Sequence, residues 1–193
     1  MNVRKLVLIA GLGVVLAGCN KGPSTEETAR SSGEIRLENV SAAEVMKQAA
    51  AAQDKNRIQP GEWENTVQIV AAEMPGAPEV LRRQIEAEAK KPAQTKKECK
   101  KADDKAIDFS QVGAVTKDCT FAKYVLAGGK IDASMECQAP FGPVRMTISG
   151  TQSATAYDVT MTQVQTPPGQ SEPSKLTIRT SGKRLGECKA AAG

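Results

Sequence analysis

The chain has 193 residues, with 26 basic and 22 acidic residues and no histidine. The missing histidine excludes Ser-His-Asp and Cys-His catalysis, histidine-ligated zinc and the usual general base near neutral pH. The near balance of charge argues against nucleic-acid binding, which needs a clustered surplus of Lys and Arg. Aromatic residues make up only 3% of the chain, so the sequence predicts one modest domain with a thin aliphatic core.

The chain begins with the pattern of a signal peptide. Two basic residues are followed by an apolar run over residues 6–16, which is shorter than the roughly 18 residues that a transmembrane helix needs. The stretch Leu16-Ala17-Gly18-Cys19 resembles the lipobox of bacterial lipoproteins, in which the cysteine becomes the acylated first residue of the mature chain. We therefore expect a cleaved signal peptide over residues 1–18 and a membrane anchor at Cys19.

Residues 19–34 are polar and show no apolar periodicity, which predicts a flexible tether. Asn20 follows the expected anchor. In lipoproteins of double-membraned bacteria, an Asp at this position favours retention in the inner membrane. The lipobox resemblance therefore implies that this chain is delivered to the outer membrane and faces the periplasm.

Residues 35–57 are predicted to form an N-terminal helical segment. Ser41 is an N-cap candidate and Glu44 stands at the third helical position, so the pair predicts a capping box. Val40 and Val45 occupy the positions of a hydrophobic staple.

The remaining domain, over residues 58–188, begins with a strand pattern. Glu62 to Ile69 alternates, with Trp63, Val67 and Ile69 on one side. Trp63 is either a ligand platform or a packing residue, and we favour packing because it is the only Trp of a thin core. A second helix, weakly anchored, is predicted over residues 79–91.

A hairpin is predicted around Ala127-Gly128-Gly129, with these three residues as the loop and Gly129 left-handed. In that register, opposed residue numbers sum to 256. Leu126 then opposes Lys130, Val125 opposes Ile131, Phe121 opposes Met135, and Cys119 opposes Cys137.

Two disulfides follow from this register. Directly opposed residues are close enough to form a bridge, which pairs Cys119 with Cys137 and leaves Cys99 to pair with Cys188 by elimination. The spacing of the four cysteines along the chain does not match a zinc or redox motif, so no metal and no cofactor are predicted.

Three more alternating runs follow, over residues 144–148, 157–161 and 176–180. Short connections between consecutive strands predict a meander. The predicted fold class is α+β: an antiparallel meander of about six strands, forming a curled sheet or partial barrel, with one or two N-terminal helices and two disulfides. Residues 189–193 are predicted to be a frayed tail.

Residues 58–188 contain a set of landmarks: Pro60-Gly61-Glu62-Trp63-Glu64, the four cysteines in order, Asp118 before Cys119, Gly150, Tyr157, and the closing stretch Ser181-Gly182-Lys183-Arg184-Leu185-Gly186-Glu187-Cys188. In these landmarks the chain resembles the bacterial family called domain of unknown function 3617, whose members are exported and often lipidated. The resemblance implies a disulfide-bonded β domain and no assigned activity.

Two functions fit the sequence. The first is a non-catalytic envelope lipoprotein that binds an envelope protein or a ligand through the sheet or its open end. The alternative is an envelope enzyme that uses paired carboxylates such as Glu62 and Glu64, which share one face of a strand. A catalyst needs a deep polar pocket with buried carboxylates, so the surroundings of these two residues discriminate between the hypotheses.

Overall fold

The computed structural model of the chain describes residues 23–101, 103–104, 119–139 and 142–188. The expected anchor at Cys19 and the tail over residues 189–193 lie outside these ranges. Three helices and eight strands are described: α1 (Thr25–Ser32), β1 (Ile35–Ser41), α2 (Ala42–Ala51), β2 (Gly61–Glu73), α3 (Glu79–Ala89), β3 (Gln94–Lys100), β4 (Cys119–Ala127), β5 (Lys130–Ala139), β6 (Gly142–Gln152), β7 (Ala156–Gln165) and β8 (Ser174–Gly186).

The strands form one antiparallel sheet in the order β1-β4-β5-β6-β7-β8-β2-β3. The sheet is open, with β1 and β3 at its edges. The meander from β4 to β8 confirms the predicted α+β class, and the strand number is eight rather than about six. The two additional strands are β1 and β3, whose sequences are dominated by polar and charged residues and show little alternation.

The main core lies between the helices α1 and α2 and one half of the inner sheet face. Ala29 of α1 and Ile35 of β1 are fully buried, and Val45 of α2 is 5% exposed. These side chains belong to the same cluster as the inward residues of β4, β5 and β6. The N-terminal segment is therefore part of the core of the sheet.

This packing corrects two predictions about the N-terminal region. Residues 25–32 are a helix and not a flexible tether, because Ser24 and Glu27 form a reciprocal capping box and Ala29 is buried. Residues 35–57 are helical only in part: α2 confirms the helix after Ser41, whereas Ile35–Ser41 is the strand β1, which pairs with β4. The sequence pattern did not predict this strand, because only two of its seven residues are buried and the strand therefore has little apolar alternation.

The predicted cap of α2 is half right. The Ser41 hydroxyl accepts a hydrogen bond from the Glu44 backbone N–H, at 3.3 Å. The Glu44 carboxylate accepts a hydrogen bond from Gln48 Nε2 at 2.7 Å, one turn along the helix, and no reciprocal bond to Ser41 is described.

The hairpin register is correct at the cysteines and wrong near the turn. Cys119 opposes Cys137 and Phe121 opposes Met135, as predicted, but Leu126 opposes Ile131 and not Lys130. The turn has two residues, Gly128 and Gly129, with φ of 56° and 72°. Two left-handed residues are what a type I′ hairpin turn needs.

A β-bulge at Ala122 reconciles the two ends of the hairpin. Opposed residue numbers sum to 257 next to the turn, and Val125 faces Asp132 there rather than Ile131. Beyond Ala122, which has no partner in β5, they sum to 256. Asn39 of β1, with a left-handed φ of 54°, lies at the same level, so the irregularity extends across both strands.

Both disulfides that the sequence predicted are present. Cys119 and Cys137 are bridged with their Cα atoms 4.0 Å apart, and Cys99 and Cys188 with theirs 5.6 Å apart. The first bridge is buried in the main core. The second joins the edge strand β3 to the residues that follow β8.

The predicted second helix is α3, and none of its residues is buried.

Trp63, Val67 and Ile69 share the inner face of β2 as predicted, yet Trp63 is fully buried while Val67 is 46% exposed. Helices α1 and α2 cover the β1 half of the sheet, and α3 lies against β2, where Val67 stays partly exposed. Within the ranges that the structure describes, no helix is both long and apolar enough to cross a membrane.

Candidate functional site

A second, smaller core holds the family-like motif residues, and Trp63 is at its centre. Strand β2 places Trp63 on the inner face, where its ring stacks on Tyr157 of β7 with centroids 6.1 Å apart. The indole Nε1 donates to the backbone oxygen of Gln59, at 3.0 Å. Trp63 is therefore a packing residue, which confirms the preferred interpretation, and its ring is closed to an external ligand.

Lys100 of β3 completes this small core. Its Nζ lies 5.5 Å from the Trp63 ring centroid and 5.3 Å from that of Tyr157, and its side chain is only 10% exposed. The carboxylate of Glu98 lies 3.7 Å from the same Nζ. Two ring faces and a carboxylate thus replace water around the ammonium group.

Hydrogen bonds connect the polar atoms of the small core to one another. The Tyr157 hydroxyl donates to Asn65 Oδ1 at 2.7 Å, and Asn65 Nδ2 donates to Glu98 Oε1 at 3.0 Å. Burial raises the pKa of the Tyr157 phenol, and the nearby Glu98 carboxylate raises it further. These polar groups are occupied with one another, so the arrangement holds β2, β3 and β7 together.

The closing motif packs against the same core. A Cβ at Gly182 would lie 2.2 Å from Tyr157 Cε1, so only glycine leaves room for that ring. Arg184 Nε donates to the backbone oxygen of Pro60, at 2.8 Å. The resemblance motifs at the two ends of the domain therefore meet in space and have a packing role.

The carboxylates of the enzyme hypothesis lie on the opposite face of β2. Glu62 and Glu64 are half-buried, and the register places Glu64 between Lys97 of β3 and Lys183 of β8. Neither residue lines the cleft described next. Among the described residues, the two carboxylates therefore lie apart from this cleft.

A polar cleft of about 280 Å³ opens where the N-terminal segment meets two turns of the sheet. Four segments line it: residues 32–34 at the end of α1, residues 55–57 after α2, the hairpin turn over 126–129 and the β6–β7 turn over 152–154. The first two belong to the N-terminal segment and the last two to the predicted β domain. The cleft is thus formed where these two parts of the chain meet.

Backbone and side-chain hydrogen bonds fix the walls of this cleft. Asn56 Nδ2 donates to the backbone oxygens of Gly33, at 2.9 Å, and of Ala52, at 3.1 Å. The Gln152 backbone N–H donates to the Gly129 oxygen, at 2.7 Å. The first two bonds hold the N-terminal loops to one another, and the third holds the two turns of the β domain together.

The charge of the cleft is mixed, with a cationic excess. Arg57 pairs with Asp54 at 2.8 Å and Glu34 pairs with Arg36 at 3.7 Å. Lys55 has no ion-pair partner among the described residues. With two cations and one carboxylate in its lining, the cleft suits a small polar or anionic group, either free or on the surface of a partner.

Sequence reasoning missed Lys100 and the cleft. Lys100 belongs to a basic cluster that reads as solvated charge, and its burial depends on β3 pairing with β2. The available signal was its position next to Cys99. Successive strand residues face opposite sides of a sheet, so Lys100 lies on the face opposite to the cysteine. The cleft combines segments about 20 to 120 positions apart, which no local pattern connects.

The comparisons with known proteins concern the β domain. A family model described as "Protein of unknown function (DUF3617)" matches residues 58–188, which is more than half of the chain. No curated protein and no solved structure matches. The matched range holds both disulfides and the small core around Trp63, whereas α1, β1 and α2 lie outside it. The chain therefore belongs to the DUF3617 family, whose function is unknown.

Proposed function

We propose that this protein is a lipid-anchored envelope protein that binds a ligand or another envelope protein and does not act as a catalyst. Its anchor is the acylated Cys19, and Asn20 directs it to the periplasmic face of the outer membrane. The candidate binding site is the cleft. Nucleic acid, metals and cofactors have no part in the proposal.

The observation that carries the binding role is the construction of the cleft. Hydrogen bonds within each of the two parts of the chain fix its walls, while Lys55 and Arg57 remain exposed at the surface. The polar side chains around Trp63, in contrast, are occupied with one another. Two disulfides support an oxidising compartment, and the lipobox-like stretch supports the anchor.

One experiment in a double-membraned bacterium tests the location and the binding site together. The full chain carries a photo-crosslinking residue in place of Lys55, and the matched control carries it in place of Lys183, an exposed lysine outside the cleft. We expect the protein in the outer-membrane fraction with an acylated Cys19, and a crosslinked product of defined mass at position 55 only. Asn20→Asp should move it to the inner membrane.

Two results would contradict the proposal. An unmodified Cys19, or a cut at another position, would remove the anchor. Equal crosslinking from positions 55 and 183 would remove the cleft as the binding site. The Cys19→Ala variant serves as the control for anchoring, and we expect it to accumulate as the uncut precursor.

A further inference from the structure

The described fold begins very close to the expected anchor. The capping box of Ser24 and Glu27 starts α1, whose Ala29 is fully buried, so the chain is part of the folded domain from Ser24 onward. A chain extends at most about 3.5 Å per residue, so the six steps from Cys19 to Thr25 span about 20 Å. A tether over residues 19–34 would have reached about 55 Å by the same measure.

Helix α2 lies beside the start of α1. Lys47 Nζ of α2 is 3.1 Å from Glu26 Oε2, and Glu26 is the second residue of α1. The hydrogen bond from Arg30 and the neighbouring Lys47 ammonium group lower the pKa of the Glu26 carboxyl. The outer surface of α2 is therefore attached to the part of the domain that is nearest to the anchor.

The outer surface of α2 has one large apolar side chain, Met46, between two alanines. Its exposed residues follow helical spacing, and Lys47 is the only charged one: Ala43, Met46, Lys47 and Ala50. Met46 is 50% exposed, and the ammonium group of the neighbouring Lys47 reaches Glu26 of α1. An apolar residue next to a long cationic side chain suits the boundary between lipid headgroups and acyl chains.

We propose that the outer face of α2 lies against the bilayer that holds the Cys19 anchor, with Met46 in contact with lipid. The inference depends on the anchor in the proposed function, because the short connection from Cys19 to α1 brings this face to the membrane. Lys47 pairs with Glu26 at the start of α1, close to the anchor, while Met46 enters the apolar boundary. The sheet edge formed by β3 then points away from the membrane.

Brominated phospholipids test this orientation, because bromine quenches tryptophan fluorescence only at contact. The full lipidated protein is reconstituted in vesicles as the Met46→Trp variant and as the matched Val70→Trp variant. Val70 is 53% exposed, similar to Met46, but β2 lies six strands from β1, roughly 30 Å away at the usual strand spacing. Trp63 is fully buried in both variants and gives a constant background.

We expect brominated lipid to remove about half or more of the emission that Met46→Trp adds, since interfacial side chains enter the acyl boundary. The emission that Val70→Trp adds should not change. Equal quenching of both variants, quenching of neither, or quenching of Val70→Trp alone would overturn the orientation. Intact mass separates this failure from failure of the anchor: if the Met46→Trp protein is acylated and vesicle-bound but its added tryptophan is unquenched, the orientation alone is refuted.

Discussion

Residues in the small core stabilise one another in pairs. The Trp63–Tyr157 contact contributes about 0.5–1.5 kcal/mol beyond the area it buries. The ammonium group of Lys100 adds about 0.5–2 kcal/mol against the two rings. Asn65 connects the phenol to Glu98, so the core contains a complete polar network. Replacing any one of these residues leaves its partner without the contact that compensates for its burial.

At this scale, we expect both tyrosines of the folded protein to resist ionisation. Burial raises the pKa of Tyr124 to about 12, and burial with the Glu98 carboxylate raises the pKa of Tyr157. In the unfolded chain both phenols ionise near pH 10, at about their ordinary pKa. Above that pH the folded state binds more protons than the unfolded state. The free energy of unfolding should therefore fall as the pH increases from about 10 towards about 12.

An alkaline titration followed by phenolate absorbance measures this effect. The same titration in denaturant is the control and should show both phenols ionising together near their ordinary pKa. The Tyr157→Phe variant should retain a single late transition from Tyr124. Phenolate absorbance that appears at the same pH in folded and denatured protein would contradict the prediction.

At the scale of one element, strand β4 shows how an irregularity preserves a pattern. Phe121 and Tyr124 are both buried although they are three positions apart, which a regular strand does not allow. The bulge at Ala122 adds the residue that returns both side chains to the inner face. It also lets a two-residue turn and the Cys119–Cys137 pair occur in the same hairpin.

Deletion of Ala122 should therefore leave the Cys119–Cys137 bridge intact. Without the extra residue, the register next to the turn would continue along the strand and still place Cys119 opposite Cys137. Deletion of Ser134 from β5 is the matched control, because it moves Cys137 out of line and should leave free thiols. Mass spectrometry after thiol alkylation measures both variants, and free Cys119 in the Ala122 deletion would refute the role assigned to the bulge.

At the scale of the whole molecule, the folded unit is larger than the family match. The match begins at residue 58, yet Ile35, Leu37 and Val45 are in the same core as the meander. Burying three such side chains contributes about 5–9 kcal/mol at the usual value for each, which is comparable with the total stability of a typical domain. The segment before residue 58 therefore completes the domain.

A chain that begins at Ile58 should accordingly lose cooperative unfolding or aggregate through its uncovered sheet. A chain that begins at Pro23 keeps α1, β1 and α2 and should unfold at the same temperature as the mature protein. Thermal unfolding followed by circular dichroism compares the two. A cooperative transition of the shorter chain at an unchanged temperature would show that the N-terminal segment adds nothing to the core.

The sequence by itself determined the features that depend on neighbouring residues. Alternation fixed the strands of the meander, and the α2 cap at Ser41 followed from residue types at fixed spacing. The opposition of Cys119 and Cys137 followed from one hairpin, and the last pair of cysteines followed by elimination. All of these concern contacts that are close in sequence, or a choice with one remaining answer.

Tertiary structure decided the rest, because it depends on partners distant in the chain. The polar strands β1 and β3 form through pairing with β4 and β2, and α1 is held through burial of Ala29 rather than by an apolar repeat of its own. Lys100 is buried because a strand pairing carries it over the rings of Trp63 and Tyr157. The bulge at Ala122 was decided in the same way, since burying both Phe121 and Tyr124 required one extra residue that the alternation of the strand does not reveal.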